Sequence, residues 1–150
     1  MVMIDQIKEL REVTGISILE CKKALRESGG DMEKAKTLLR QWGKEVAEKK
    51  QERPAGEGLV ASYVHNTGKV GSLVIVKCET DFVARSDDFK YLSHELALQA
   101  ASLEAENVDD FLAQQYIRDP SRTVKDVVGE YIAKLGENIV VEKFVRFSLQ

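Results

Sequence analysis

The sequence predicts an α+β protein: a small helical bundle, then a two-layer domain with helices packed on a three-stranded antiparallel sheet. Three observations lead there. Apolar residues recur at three- and four-residue spacing through the first forty positions. The period then shortens, and residues 59–65 and 70–79, rich in Val, Ile and Tyr, flank the hairpin signal Asn66-Thr67-Gly68-Lys69. Helical spacing returns from Ser86, and a third strand pattern lies at 139–148. A hairpin, a helical layer and a returning strand bury one another as two layers.

In the bundle, Ile4, Ile7, Leu10 and Val13 form one stripe on a first helix that Gly15 ends. Ser17 and Glu20 read as a capping box for a second helix, with Ile18, Cys21, Ala24 and Leu25 as its inward face and Gly29-Gly30 as its stop. Asp31 caps a third, whose stripe is Met32, Ala35, Leu38, Leu39 and Trp42; Gly43 is its expected end. A bundle of residues 1–43 has a marginal core, and units of that size more often recognise a partner than perform chemistry. The turn from Thr14 to Leu19 carries Ile16, Ile18 and Leu19. Either Ile18 and Leu19 both enter the core, or they form an exposed apolar contact patch.

Residues 44–57 hold four basic and four acidic residues, Pro54 and Gly56, and read as a charged linker. Residues 58–150 form the α+β core domain. The run Leu73-Val74-Ile75-Val76 is apolar on both faces, which predicts a central strand. The helix from Ser86 shows Phe89, Leu92, Leu96, Ala100 and Leu103 on one face. A short helix is expected within 108–116 and a turn at 118–121. Thr123-x-x-Asp126 caps a last helix with Val124, Val127, Val128, Tyr131, Ile132 and Leu135 inward and Gly136 as its stop. Such a sheet has two open edges, and uncovered edges invite pairing. A homodimer through Phe144, Val145 and Phe147 is therefore expected, by a two-fold contact.

Composition excludes several classes. The 150 residues are 43% hydrophobic and 31% charged, as in a globular chain rather than a disordered one. Net charge is -3, and residues 58–150 carry 10 basic against 14 acidic residues. Nucleic-acid binding needs clustered Lys and Arg to displace counterions, so no direct nucleic-acid contact is expected. No apolar run approaches the roughly 20 residues that span a bilayer, so no membrane partner is expected either. The first five residues carry no signal-peptide pattern. Two cysteines 57 positions apart, Cys21 and Cys78, make no disulfide framework, and a cytoplasmic location is expected.

Candidate chemistry is sparse. His65, His94 and Cys78 match no metal-ligand spacing, so neither a metal nor a cofactor is expected. Asp87-Asp88 fits the first turn of a helix, where acids suit the dipole. Phosphate-loop, dinucleotide and nucleophile-elbow motifs are absent from the sequence. This favours a binding protein over an enzyme. The segment 78–87, CETDFVARSD, stands out because a Phe-Val pair occupies a strand-to-helix junction between an Asp and an Arg. Phe82 either folds onto the core or is presented as an anchor rimmed by charge.

That segment carries a resemblance. Thr80-Asp81-Phe82-Val83-Ala84 resembles the TDFVA motif of the elongation factor Ts family. Leu10-Arg11-Glu12-Val13-Thr14-Gly15 with Glu20-Cys21-Lys22-Lys23-Ala24-Leu25 is similar to its N-terminal signature, and Lys134-Leu135-Gly136-Glu137-Asn138-Ile139 to its KxGENI motif. The resemblance implies a guanine-nucleotide exchange factor for the GTPase elongation factor Tu, without a catalytic residue set. It implies a ubiquitin-associated-like bundle that docks through Arg11, Ile18 and Leu19. It also implies a partner-binding segment, Thr80, Asp81, Phe82, Val83 and Ala84, whose Asp81 and Phe82 enter a cleft of the GTPase and disturb its Mg²⁺ and phosphate site. Longer family members continue with a second core unit, a coiled coil and a C-terminal module. Two other classes compete: an adaptor of ubiquitin-associated type with an unrelated partner, and a small enzyme using Asp81, Asp87 and His94.

Overall fold

A computed structural model describes residues 3–149. The chain runs α1 (Ile4–Thr14), α2 (Ile18–Glu27), α3 (Met32–Lys50), β1 (Glu57–Val64), β2 (Val70–Cys78), α4 (Asp81–Ala84), α5 (Asp87–Ser102), α6 (Val108–Ala113), β3 (Gln115–Tyr116), β4 (Asp119–Thr123), α7 (Val124–Leu135) and β5 (Val140–Ser148). The architecture is α+β, as expected.

The first three helices close on a small core of Leu10, Cys21, Ala24, Leu25, Ala35 and Leu39. The α1 stripe is only half used: Leu10 is buried, Ile7 packs against it, and Ile4 and Val13 are exposed. Ile18, assigned above to the inward face of the second helix, also points outward. It sits on the first turn of α2, ahead of the point where Cys21 meets the other two helices. Ser17 Oγ accepts the Glu20 amide at 3.3 Å, and Asp31 Oδ1 accepts the Lys34 amide at 3.1 Å, so both cap residues act as predicted; for the capping box expected at Ser17, the Ser17 half is the one shown.

Gly43 does not end α3. It is buried inside a helix of 19 residues, with a methyl-sized gap to α7. A Cβ built at Gly43 would stand 3.4 Å from the Ala133 Cβ, and one at Gly129 would stand 3.6 Å from the Ala47 Cβ. Small residues on both helices let the backbones cross closely. Residues 44–50, read above as linker, are therefore helical, and Ala47 packs on the main core. The crossing is flanked by Arg40 with Glu130 at 3.9 Å and Lys44 with Asp126 at 3.5 Å; Arg122 also pairs with Glu130. Within the expected linker 44–57, only 51–56 lacks helix and strand.

The sheet order is β1-β2-β5, all antiparallel, so the 70–79 strand is central as predicted. Its two faces differ. Ser72, Val74, Val76 and Cys78 are buried under α5, whereas Leu73 is 47% exposed on the opposite side. That side stays open, as antiparallel sheets permit. Gly58, the second residue of β1, has φ 148, and a Cβ there would fall 2.1 Å from the Val76 carbonyl oxygen, so only glycine fits. Phe144 turns inward, its ring 5.1 Å from that of Phe111. It is therefore not available for the homodimer contact named above, unlike Val145 and Phe147.

The helical layer is mostly as expected. Phe89, Leu92, Leu96 and Ala100 are buried, while Leu103 is the exposed C-cap of α5. Thr123 and Asp126 form the reciprocal capping box of α7, and Gly136 at φ 76 stops it. The small hairpin of β3 and β4 replaces the simple turn expected at 118–121. It is tied to α5 by buried Glu95, which accepts from the Tyr116 hydroxyl at 3.0 Å and from Nε and Nη2 of Arg118. Gln99, also buried, accepts the Ile117 amide at 3.0 Å.

Candidate functional site

The junction after β2 is a single helical turn, α4. Thr80 caps it by accepting the Val83 amide at 3.2 Å, and Ser86 then caps α5 by accepting the Phe89 amide at 3.2 Å. Two consecutive caps fix the direction of four residues. Val83 and Ala84 point into the core at 6% and 2% exposure, and Phe82 points away from it at 85%. The reading in which Phe82 folds inward is excluded. Val83 and Ala84, grouped above with the partner-binding residues, support the turn from below, and their burial leaves little surface for a partner. Asp81 faces solvent beside Phe82 and pairs with Arg85 at 2.7 Å. An apolar ring rimmed by one acid and one base is thus presented on a rigid turn.

The second candidate surface is the turn between α1 and α2. Leu19 is 79% exposed and Ile18 52%, so neither belongs to the bundle core. Arg11 is exposed on the last turn of α1. Gly15, the αL cap of α1, lies against Lys134: a Cβ at Gly15 would fall 2.7 Å from the Lys134 Nζ. The same ammonium pairs with Asp88 at 3.2 Å on the first turn of α5. One lysine of α7 therefore touches both the bundle turn and the helix that follows α4. Between these elements lies a cleft of about 460 Å³ whose walls include Val13, Ile16, Arg40, Tyr91, Tyr131 and Lys134. Burial pushes the Tyr131 hydroxyl up to about 12.

Comparison with known proteins fits this geometry. The family model for elongation factor TS matches residues 79–150, the part that begins at the junction bearing Phe82. Elongation factor Ts of Coprothermobacter proteolyticus is 44% identical over 188 residues, covering 95% of this chain and 95% of that protein. The chain belongs to the elongation factor Ts family. Elongation factor Ts of Thermoanaerobacter pseudethanolicus is 43% identical, covering 99% of this chain and 95% of its own length. That of Clostridium tetani is 47% identical over 150 residues, all of this chain but only 49% of that longer protein. This elongation factor family accordingly has members of about twice the matched length.

Four residues were given no role by sequence reasoning, although Glu137 and Asn138 lie in the KxGENI-like motif. Glu137 accepts the amides of Glu79 at 3.1 Å and Thr80 at 3.0 Å on one oxygen, and the Thr80 hydroxyl at 2.7 Å on the other. Glu79 in turn accepts the Asn138 amide at 2.6 Å and pairs with Arg53 at 2.8 Å. Buried Asn138 donates to the carbonyls of Gln51 and Arg53. The signal in the sequence is a carboxylate and an amide directly after the Gly136 stop, where no helix or strand needs them.

The other chemical candidates do not converge. Tyr63 hydrogen-bonds His65 at 3.2 Å and meets His94 only ring to ring at 6.2 Å. Burial, then the nearby Glu137 carboxylate, push the Cys78 thiol up to about 11, and burial raises Cys21 as well, so both are poor nucleophiles at neutral pH. Among the described residues, no cluster of three His, Cys, Asp or Glu side chains could hold a metal, and no helix is long and apolar enough to cross a membrane.

Proposed function

We propose that this protein is a guanine-nucleotide exchange factor for elongation factor Tu, acting in the cytoplasm without covalent chemistry. One observation carries the reading: Phe82 stands 85% exposed on a turn whose other apolar residues are buried. A large ring left 85% exposed contributes little to the fold. An aromatic anchor beside a charged rim is what an interface hot spot requires. Arg11, Ile18 and Leu19 dock the bundle on the GTPase, while Asp81 and Phe82 enter a cleft in it. A GTPase holds GDP through Mg²⁺ and a phosphate-cradling loop with demanding geometry. A ring that enters only when those elements shift favours the nucleotide-free state. Coupling is reciprocal, so GDP weakens binding of the factor as much as the factor weakens GDP.

The deciding experiment is release of fluorescent GDP from elongation factor Tu, with thermal unfolding measured in parallel. Phe82→Ala should leave the melting temperature nearly unchanged, because the ring is outside the core. Losing about 2–3 kcal/mol of a contact made only in the open state should slow stimulated release roughly 30- to 150-fold. Full stimulation by a Phe82→Ala protein would refute the assignment.

Within the same reading, the open sheet face supports a homodimer. In register, Val64 and Phe147 flank Gly71, and Ser62 and Val145 flank Leu73. Val60, Val64, Leu73, Val145 and Phe147 are all exposed, an apolar face that a second copy would cover by two-fold symmetry. Light scattering at tens of micromolar should give twice the chain mass, and a monomer there would exclude it.

A further inference from the structure

We propose that Glu137 is a positioning residue: its carboxylate holds the β2–α4 turn so that Phe82 is presented at a fixed angle. This rests on the reading of Phe82 as the anchor. A helix of four residues makes too few internal hydrogen bonds to persist alone. Its orientation must come from outside. Inward, Val83 and Ala84 supply burial. At the start of the turn, the holding group is Glu137. Its two oxygens take three donors, the Glu79 and Thr80 amides and the Thr80 hydroxyl. That hydroxyl is at once the donor to Glu137 and the cap acceptor for Val83. The order of the turn is thus passed from a carboxylate on the α7–β5 loop, through one hydroxyl, to the backbone of α4.

The clamp is two-sided. Gly136 ends α7 in the left-handed conformation and turns the chain toward Glu79. Glu79 accepts the Asn138 amide while Glu137 accepts the Glu79 amide, so each loop satisfies the other's backbone. Arg53 neutralises Glu79, and Asn138 fastens the 51–53 segment to the same point. Charge-assisted bonds of this kind are short and directional. A carboxylate suits position 137 because both its oxygens accept; a glutamine keeps one acceptor for the two amides but turns an amide donor toward the Thr80 hydroxyl, which already accepts from Val83.

The test uses the full chain with Glu137→Ala, Glu137→Gln, Phe82→Ala and the double variant Phe82→Ala/Glu137→Ala. Stimulated GDP release from elongation factor Tu and amide hydrogen exchange at Glu79 and Thr80 are the readouts. Glu137→Ala should speed exchange of both amides about tenfold or more. It should slow stimulated release about tenfold, equivalent to about 1.4 kcal/mol, and add no further loss to Phe82→Ala. Glu137→Gln should fall between it and the parent, and it carries the test if the alanine variant fails to fold. Unchanged amide exchange overturns the clamp, and a loss that adds in full to Phe82→Ala overturns its action through Phe82. If Phe82→Ala releases GDP at the parent rate, the anchor reading fails, while the amide data still decide whether Glu137 holds the turn.

Discussion

Replacing Gly43 with alanine tests the close crossing of α3 and α7, the feature that composition most obscures. If Gly43 were a helix stop in the left-handed conformation, a side chain there would cost about 1 kcal/mol or more. In the structure it is an interior helical position. Glycine in a helix interior is about 1 kcal/mol less favourable than alanine. The added methyl would meet the Ala133 Cβ at 3.4 Å, an ordinary contact that requires no backbone shift. Gly43→Ala should therefore stabilise the protein by about 0.5–1 kcal/mol, raising the melting temperature by about 2–4 °C per kcal/mol for a chain of this size. Gly43→Leu directs three further carbons at α7 and should cost about 1–3 kcal/mol by overpacking. Urea unfolding followed by circular dichroism gives both values. Destabilisation by alanine of 1 kcal/mol or more would show that the crossing of α3 and α7 does not admit a methyl at this position.

Leu19→Asp should leave the unfolding midpoint nearly unchanged, since the side chain is 79% exposed, and should weaken association with elongation factor Tu by about 2 kcal/mol or more, as for a hot spot; loss of folding instead would place Leu19 in the core. We propose the division into bundle, linker and core as a mechanical one, and limited digestion with a glutamate-specific protease checks it. The first cut should fall between Lys44 and Gly56, within the stretch 51–56 without helix or strand; a first cut within Asp87–Ser102 would contradict it.

Elements with their own start and stop chemistry were legible. Thr123 with Asp126, Gly136, Ser17 and Asp31 each act locally, and the structure finds each where the sequence puts it. Gly43 was misread because a glycine that ends a helix and one that admits a neighbouring helix look alike in one dimension. What separates them is Ala133, ninety positions away. The two-sided apolar run 73–76 marked a central strand correctly, but its hydrogen-bonded neighbours make it central; the open face could not be inferred from apolar character alone. At the candidate site, Phe82 was visible as an oddity, yet two orientations fitted the pattern. Burial of Val83 and Ala84 decides between them, and that depends on β1 and β2 lying beneath α4. The Glu137 clamp joins loops 57 residues apart in sequence, beyond the reach of any local rule.

These features share one physical requirement. On the proposed reading, Phe82 serves a partner only if the protein's own core does not recruit it, since a ring that can fold inward is lost to that partner. A flexible loop would leave the Phe82 ring unfixed, and ordering it on binding would then oppose association. The structure removes that freedom by means that do not touch the ring: Thr80 and Ser86 cap the turns on either side, Val83 and Ala84 anchor it below, and Glu137 holds its entry. Folding and function are thereby assigned to different atoms of one short segment. Truncating Val83 should consequently damage stability first and exchange only through it, whereas truncating Phe82 should do the reverse. The contrast between adjacent residues distinguishes a presented anchor from a merely exposed one.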